Sequence, residues 1–397
     1  MCGIIGYFSD GDPIDVKMFN RMRDKLEHRG PDGKNSVLLE NDTIALGHRR
    51  LSIVDLSISA SQPMTNSDSS IWLTFNGEIY NYQKIREELL KKKYIFKSKS
   101  DSEVLIHGYH EWGVEKLLDK IDGIFAFAIW DTKEDKLTIA RDRFGVKPVY
   151  YYLENNKFIF ASEPKAIIED DKINFAIDKN ALADFFIYSY VPSPESIYKN
   201  IKKLQPGHYL TYSNISKELK IEKYWEIKFD SNVIDDDFAK KKAANLIENS
   251  IKSNLIGDVP IGVFLSGGYD STLLLQNITK FNNNVNSFTV GYKNLELSEH
   301  FLAREISSTF NSNHFETIID ENYDLFNILD EISYFYDEPF AYSSMIPYYI
   351  ISKEAVKKNK VVLAGDGADE AFAGYKWYSQ IYCLLYTSPS PRDKRQS

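Results

Sequence analysis

The stretch "VPIGVFLSGGYDSTLLLQNITK" (residues 259–280) passes from an apolar, β-branched segment through a glycine pair into a segment with helical spacing. Strand, tight polar turn and helix in that order set the rhythm of the C-terminal part of the chain. "NSFTVGY" (286–292) leads into "EHFLAREISSTF" (299–310), "NHFETIID" (313–320) precedes more helical sequence, and "KVVLAGDGADE" (360–370) is another apolar strand with a polar end. Such alternation predicts a parallel sheet with helices on its faces, and these sheets bind ligands beyond the carboxyl ends of their strands. Chemistry is expected at the polar strand ends.

Upstream the rhythm is different. Residues 1–210 read as short strands with few helices, clearest in "GIFAFAIWD" (123–131), a turn at 133–135, "KLTIARDRFG" (136–145), "PVYYYL" (148–153) and "FIFASEP" (158–164), which together predict an antiparallel meander. Helices are predicted at 82–93 and at 101–121, where Val104, Leu105, Tyr109, Trp112, Leu117 and Leu118 form an apolar stripe. After the polar run "DSNVIDDD" (230–237), a helix with Ala244, Ile247, Ile251 and Leu255 on one face opens the second half. The final "CLLYTSPSPRDKRQS" (383–397) has no period and is expected to be disordered. The expected organisation is thus a first domain over 1–212, a linker over 213–236, a second domain over 237–382 and an atypical tail over 383–397.

A chain of 397 residues with 43% hydrophobic and 26% charged side chains suits two globular domains. With a formal charge of -9 and no Lys/Arg block, nucleic acid is not an expected partner. No apolar run is long enough to span a bilayer and the N-terminus does not resemble a signal peptide, so the expectation is a cytoplasmic protein without membrane contact. The two cysteines, Cys2 and Cys383, are expected to be free thiols in a reducing compartment.

Within "FLSGGYDST" (264–272), Gly267 and Gly268 permit a tight turn and let backbone N–H groups approach a phosphate, Ser266 and Ser271 add hydroxyls, and the helix start adds partial positive charge. Asp270 would repel a bare anion but suits a Mg²⁺ ion set between them. A capped helix after a glycine turn would leave the same trace. A second acidic strand end, "LAGDGADEAFAGY" (363–375) with Asp366, Asp369 and Glu370, favours a nucleotide–Mg²⁺ site. At the other terminus, "MCGIIGY" puts a thiol at position 2. Loss of Met1 would leave thiol and α-amine on one residue, with free pKa values near ~8.5 and ~7.7–8.0, close enough to exchange a proton. Packing of Cys2 as a small hydrophobe is the alternative.

"SGGYDS" resembles the ATP loop of pyrophosphatase-type enzymes, which split ATP between the α and β phosphates. With "SFTVGY", "DEPFAYSSMIP" and "GDGADEAFAGY" it is similar to the synthetase domain of glutamine-hydrolysing asparagine synthetases. "RGPDG" (29–33), "GHRRLSIVDL" (47–56), "SQPM" (61–64), "FNGEIYNY" (75–82), "SDSEVL" (100–105) and "RDRFGVKPVYY" (141–151) resemble the N-terminal-nucleophile glutaminase domain of the same family. The resemblance implies an αββα sandwich of antiparallel sheets followed by a parallel α/β domain. It implies Cys2 as nucleophile, Asn76 and Gly77 as oxyanion donors, Arg50 for the carboxylate of glutamine, Glu78 and Asp101 near its ammonium, and Leu51, Ser52, Ile53 and Val54 as the surrounding loop. ATP falls to Leu265, Ser266, Gly267, Gly268, Asp270, Ser271, Val290, Ala364 and Gly365, Mg²⁺ to Asp270 and Asp369, and a role at the acyl-adenylate to Asp366. Arg49 is distinguished from Arg50 because neighbours on a strand face opposite ways. His28 and His48 are expected to be structural.

The implied reaction makes asparagine from aspartate, ATP and the amide of glutamine, in a homodimer. Ala364 departs from a common Ser, Ala373 from a common Gly, and the resemblance ends soon after "GDGADE", so a truncated chain is expected. Another carboxylate acceptor, or a chain keeping only uncoupled glutaminase or no activity, are the alternatives.

Overall fold

The computed structural model describes residues 1–173, 175–230, 235–293 and 298–387. Packing divides them into two units, Met1–Val259 with Asp324–Ile346, and Pro260–Tyr323 with Pro347 onward. Residues 231–234 of the expected linker and 388–397 of the expected tail lie outside the described residues.

In the first unit the chain forms β1 (Gly3–Phe8), α1 (Val16–Asp24), β2 (Gly33–Leu39), β3 (Ile44–Arg50), β4 (Met64–Thr65), β5 (Ile71–Ile79), α2 (Tyr82–Lys91), α3 (Glu103–Lys120), β6 (Gly123–Asp131) and β7 (Lys136–Arg141). It continues with β8 (Tyr150–Glu154), β9 (Lys157–Ala161), α4 (Pro164–Ile168), α5 (Lys179–Tyr188), β10 (Ile201–Lys203), β11 (His208–Ser213), β12 (Leu219–Lys223) and α6 (Asp236–Asn254). Two six-stranded sheets result, ordered β10-β8-β9-β1-β3-β2 and β12-β11-β7-β6-β5-β4. All their ladders are antiparallel.

Two-residue alternation explains the layers. Along β6, Ala126, Ala128 and Trp130 pack with Ile4, Phe8, Ile44 and Leu46 of the facing sheet, while Phe125, Phe127 and Ile129 pack with Ile85, Leu89, Val104 and Leu118 of α2 and α3. On β1, Ile5 and Tyr7 turn the other way, against Met18, Phe19 and Met22 of α1 and Ala166 and Ile167 of α4. The unit is an αββα sandwich with one core between the sheets and one under each helical layer.

The predicted strands at 123–164 are present, but they do not make one meander. β6 and β7 belong to one sheet and the β8-β9 hairpin to the other. The connection explains the switch: Asp142 accepts the N–H groups of Phe144, Val146 and Lys147, and Gly145 takes φ +68. This side-chain-held turn redirects the chain across the sandwich. The predicted helix at 101–121 bends at Gly113, where φ is 74, and α1, α4 and α5 add helices beyond the few anticipated.

The second unit contains β13 (Ile261–Phe264), α7 (Tyr269–Thr279), β14 (Asn286–Tyr292), α8 (His300–Thr309) and β15 (Asn313–Ile319). α9 (Leu325–Tyr336) packs with the first unit, and α10 (Met345–Ala355), β16 (Val361–Leu363), α11 (Ala368–Phe372) and α12 (Lys376–Thr387) complete the described chain. The sheet is parallel, ordered β15-β14-β13-β16. Strand order therefore reverses at β13, with β14 on one side and β16 on the other. Of the apolar face predicted for α6, Ile251 is buried and Ala244 exposed. α12 runs through Thr387, into the segment expected to be disordered from Cys383.

Candidate active site

In the first unit, β5 carries Thr74 and Asn76 on the face opposite to Leu73 and Phe75, so both side chains cross the sandwich. Thr74 Oγ1 donates to the Gly47 carbonyl at 3.2 Å. The Cys2 backbone N–H donates to Asn76 Oδ1 at 2.9 Å, which fixes the amide orientation because the partner is a donor. Asn76 Nδ2 is left buried with no hydrogen-bond partner among the described residues, in a side chain only 1% exposed. A buried orphan donor costs about 1–3 kcal/mol, and this one belongs to the side chain that holds the Cys2 N–H.

Gly77 supplies a second donor by strand geometry. N–H groups two residues apart point to the same edge, and the flanking ones are taken by side chains: Phe75 N–H by Gln62 Oε1 at 2.6 Å, and Ile79 N–H by Asp101 Oδ2 at 2.9 Å. β4 pairs only with Trp72 and Leu73, so that edge of β5 is open at Gly77. No larger residue fits: a Cβ at Gly77 would lie 2.2 Å from the Ile124 carbonyl oxygen.

The Cys2 thiol faces Leu51, whose N–H lies 3.4 Å from Sγ and whose carbonyl lies 3.7 Å from it. Burial pushes the thiol pKa up, while the amino terminus, the Leu51 backbone and the Arg50 charge pull it down. Asp101, 5% exposed, is raised to about 6 by burial despite the Ile79 and Ser100 hydrogen bonds. Glu78 is raised to about 7, first by burial and then by the charge of Asp101. Two carboxyls that share one enclosure and resist ionisation together are suited to receiving a cation.

Arg50 Nη1 donates to the Ser57 carbonyl at 2.9 Å and Nη2 to the Asp55 carbonyl. Both acceptors are neutral, so its charge has no direct carboxylate partner among the described residues. Arg49 faces away, paired with Asp24 at 3.3 Å and with Glu27. The intervening loop is tied at Ser52, whose N–H donates to Asp32 Oδ2 at 2.9 Å. His48 Nε2 meets the Phe75 carbonyl at 3.1 Å and burial lowers its pKa to about 4; His28 Nε2 meets Glu163 at 3.1 Å. Both hold structural contacts.

Sequence reading passed over Arg29, Gln62 and Lys147 as individuals, although each sits in a quoted block. Arg29 Nε donates to the Cys2 carbonyl at 3.0 Å and Nη1 to Glu163 at 2.7 Å.

In the second unit the loop after β13 and the loop after β16 meet at the switch point. A Cβ at Gly365 would lie 3.1 Å from Asp270 Cβ, tighter than an ordinary contact, so a larger residue would press the two loops apart. Gly267 takes φ +89, and Gly268 caps α7. Ser266 Oγ and Ser271 Oγ stand 3.0 Å apart, and Ser266 Oγ accepts the Gly268 N–H at 3.2 Å. Ser266, Gly268, Asp270 and Asp366 are exposed; Leu265 is buried, its N–H bonded to the Phe288 carbonyl, and Val290 and Ala364 are half-buried. Tyr348 OH donates to Asp366 Oδ1 at 2.8 Å, and Asp369 is packed so close to Gly374 that a Cβ there would lie 1.9 Å from Oδ1. Among the described residues no cluster of three or more metal-ligating side chains exists. The exposed carboxylate of Asp270, beside the glycine turn, offers the hard oxygen donors that Mg²⁺ prefers.

Against models of known families, residues 1–225 match the glutamine amidotransferase domain and residues 242–396 match asparagine synthase. Asparagine synthetase [glutamine-hydrolyzing] 1 of Bacillus subtilis (strain 168) is 34% identical over 388 residues, covering 97% of this chain and 60% of its own length. Putative asparagine synthetase [glutamine-hydrolyzing] 2 of Methanocaldococcus jannaschii is 33% identical over 412 residues, covering 99% of this chain and 79% of its own. The chain thus spans three-fifths of the Bacillus relative's length. The solved glutamine phosphoribosylpyrophosphate amidotransferase from B. subtilis aligns with 81% of this chain and 67% of its own, at 16% identity and a TM-score of 0.43.

Proposed function

The chain belongs to the family of glutamine-hydrolysing asparagine synthetases, and on that premise we propose that it makes asparagine from aspartate, ATP and the amide nitrogen of glutamine. The observation that carries the reading is the buried Asn76 amide, held through its oxygen by the Cys2 N–H and left with an unpaired N–H among the described residues.

After Met1 removal the Cys2 amine occupies the place where its N–H now meets Asn76. Burial lowers the Met1 amino group to about 5, and an amine at position 2 enclosed in the same way would be held below its ordinary value. The amine takes the thiol proton, and Sγ bonds to the carboxamide carbon of glutamine. Asn76 Nδ2 and the Gly77 N–H donate to the developing oxyanion, a contact made mainly in the transition state. Return of the proton to nitrogen breaks the C–N bond, releasing ammonia and leaving a thioester that water hydrolyses to glutamate. Arg50 binds the α-carboxylate of glutamine, and Glu78 with Asp101 binds its ammonium.

At the other site, backbone N–H groups of the Ser266–Gly268 turn and the start of α7 bind the phosphates of ATP. Leu265, Val290, Ala364 and Gly365 border the nucleotide, and Asp366 acts at the acyl-adenylate formed from aspartate and ATP with loss of pyrophosphate. Asp270 and Asp369 would hold Mg²⁺, which supplies charge neutralisation at the pyrophosphate. Ammonia then displaces AMP. A glutaminase domain followed by a synthetase domain, a homodimer and a cytoplasmic location belong to the same reading; among the described residues no helix is long and apolar enough to cross a membrane.

The test is a mass spectrum of products from glutamine, ATP, Mg²⁺ and aspartate, with asparagine, AMP and glutamate expected in equal amounts. AMP formation with a different carboxylate and none with aspartate would replace the acceptor. Light scattering of the purified protein reads the oligomer.

A further inference from the structure

The loop that bears the glutamine-facing residues is held from a distant part of the chain. Asp55 takes φ +52, a left-handed conformation that costs a non-glycine residue energy and persists only where its surroundings impose it. Four hydrogen bonds do so. Its carboxylate accepts Ser57 N–H at 3.0 Å and Lys99 N–H at 2.7 Å, its carbonyl accepts Arg50 Nη2, and its own N–H donates to Asp258 Oδ2 at 2.9 Å. Asp258 returns the contact, its N–H donating to the Ile53 carbonyl at 2.9 Å, and the adjoining Gly257 packs on Ile53.

The same short segment reaches the other wall of the site. Tyr80, next after the Asn76–Gly77 strand, donates its hydroxyl to Asn254 Oδ1 at 2.8 Å, at the end of α6. Residues 254–258 lie within the asparagine synthase match and outside the glutaminase match, 203 positions from the loop in the case of Asp258 and Asp55. They lead through Pro260 into β13 and the Ser266–Gly268 turn.

We propose that Asp258 is a positioning residue for glutamine: its carboxylate orders the 51–57 loop through the Asp55 N–H, and the Asp55 carbonyl in turn sets the place of the Arg50 guanidinium. The inference rests on the assignment of Arg50 to the carboxylate of glutamine. It means that the glutaminase pocket is finished by a side chain from the stretch that the asparagine synthase match covers.

The experiment compares full-length wild type, Asp258→Ala and Asp258→Asn. Asp258 is exposed, so either variant should fold, and thermal melting checks it. Loss of one hydrogen bond to a charged acceptor predicts a glutamine KM about tenfold higher in Asp258→Ala with kcat for glutamine hydrolysis within about twofold of wild type. Asp258→Asn, which keeps an acceptor oxygen, recovers most of the affinity. Calorimetric titration of glutamine into the same variants on a Cys2→Ala background should show the same factor in Kd. An unchanged KM and Kd in Asp258→Ala, or a fall confined to kcat, overturns the proposal. Absence of glutamine binding and hydrolysis in the wild type would overturn the glutaminase reading itself, and the inference with it.

Discussion

Around Cys2 the polar groups are enclosed and incompletely satisfied: Asn76 Nδ2 has no partner among the described residues, and Glu78 and Asp101 are raised to about 7 and 6. Around Ser266 the opposite holds, because Ser266, Gly268 and Asp270 are exposed and the serine hydroxyls bond to each other and to the loop backbone. Covalent chemistry on an uncharged amide needs donors aimed before the substrate arrives, and their desolvation is a standing cost to the fold. Binding a charged nucleotide needs only a backbone shaped for phosphate, whose hydroxyls can exchange one partner for another.

The comparison breaks most sharply at Cys2. Cys2→Ala should lower glutamine hydrolysis by more than about a thousandfold while sparing ammonia-dependent asparagine formation; a radiochemical assay with each nitrogen donor reads both, and retained glutaminase would sink the nucleophile assignment. Asn76→Ala should cost about 10²–10³ in kcat with little change in glutamine KM, as the proposed oxyanion role of its free N–H requires. In the second unit, Gly267→Ala forces a side chain into φ +89 with Cβ 3.2 Å from the Glu299 carbonyl. An ATP KM raised about tenfold or more, with glutaminase kinetics unchanged, is the expected outcome.

The smallest effect is in pH. Glutamine's ammonium needs ionised carboxylates, so kcat/KM for glutamine should rise several-fold as pH passes upward through the values near 6 and 7 of Asp101 and Glu78. Glu78→Gln should flatten the upper part of that rise. The stability effect has the opposite sign: a carboxyl whose pKa is raised on folding binds its proton more tightly in the native state, so its contribution weakens as pH climbs from the ordinary carboxylate range to about 7. Melting temperatures of wild type and Glu78→Gln should therefore converge at acid pH and separate, in favour of Gln, near neutrality.

Much of this was legible along the chain. The strands at 123–131 and 286–292 and the turn at 266–268 were visible because local period and glycine placement report on short segments. The division of 123–164 between two sheets was not, since a side chain, Asp142, makes the crossing turn. Likewise Asn76 and Arg50 stood out as motif residues, while Gln62, which occupies the Phe75 N–H, and Asp258 did not. Their roles exist only as pairings between distant segments, and no local pattern encodes those.

The sequence by itself determined the residue types: a thiol at position 2, a donor pair in "NGE", carboxylates at 78 and 101, and a glycine turn between a strand and a helix. Only certain side chains can perform that chemistry, which is why the types are readable. The tertiary structure decided which groups stay unpaired. Burial across the sandwich leaves Asn76 Nδ2 without a partner among the described residues, and the open edge of β5 frees the Gly77 N–H from its ladder. Desolvation depends on everything packed around an atom, so it takes the folded chain to set it.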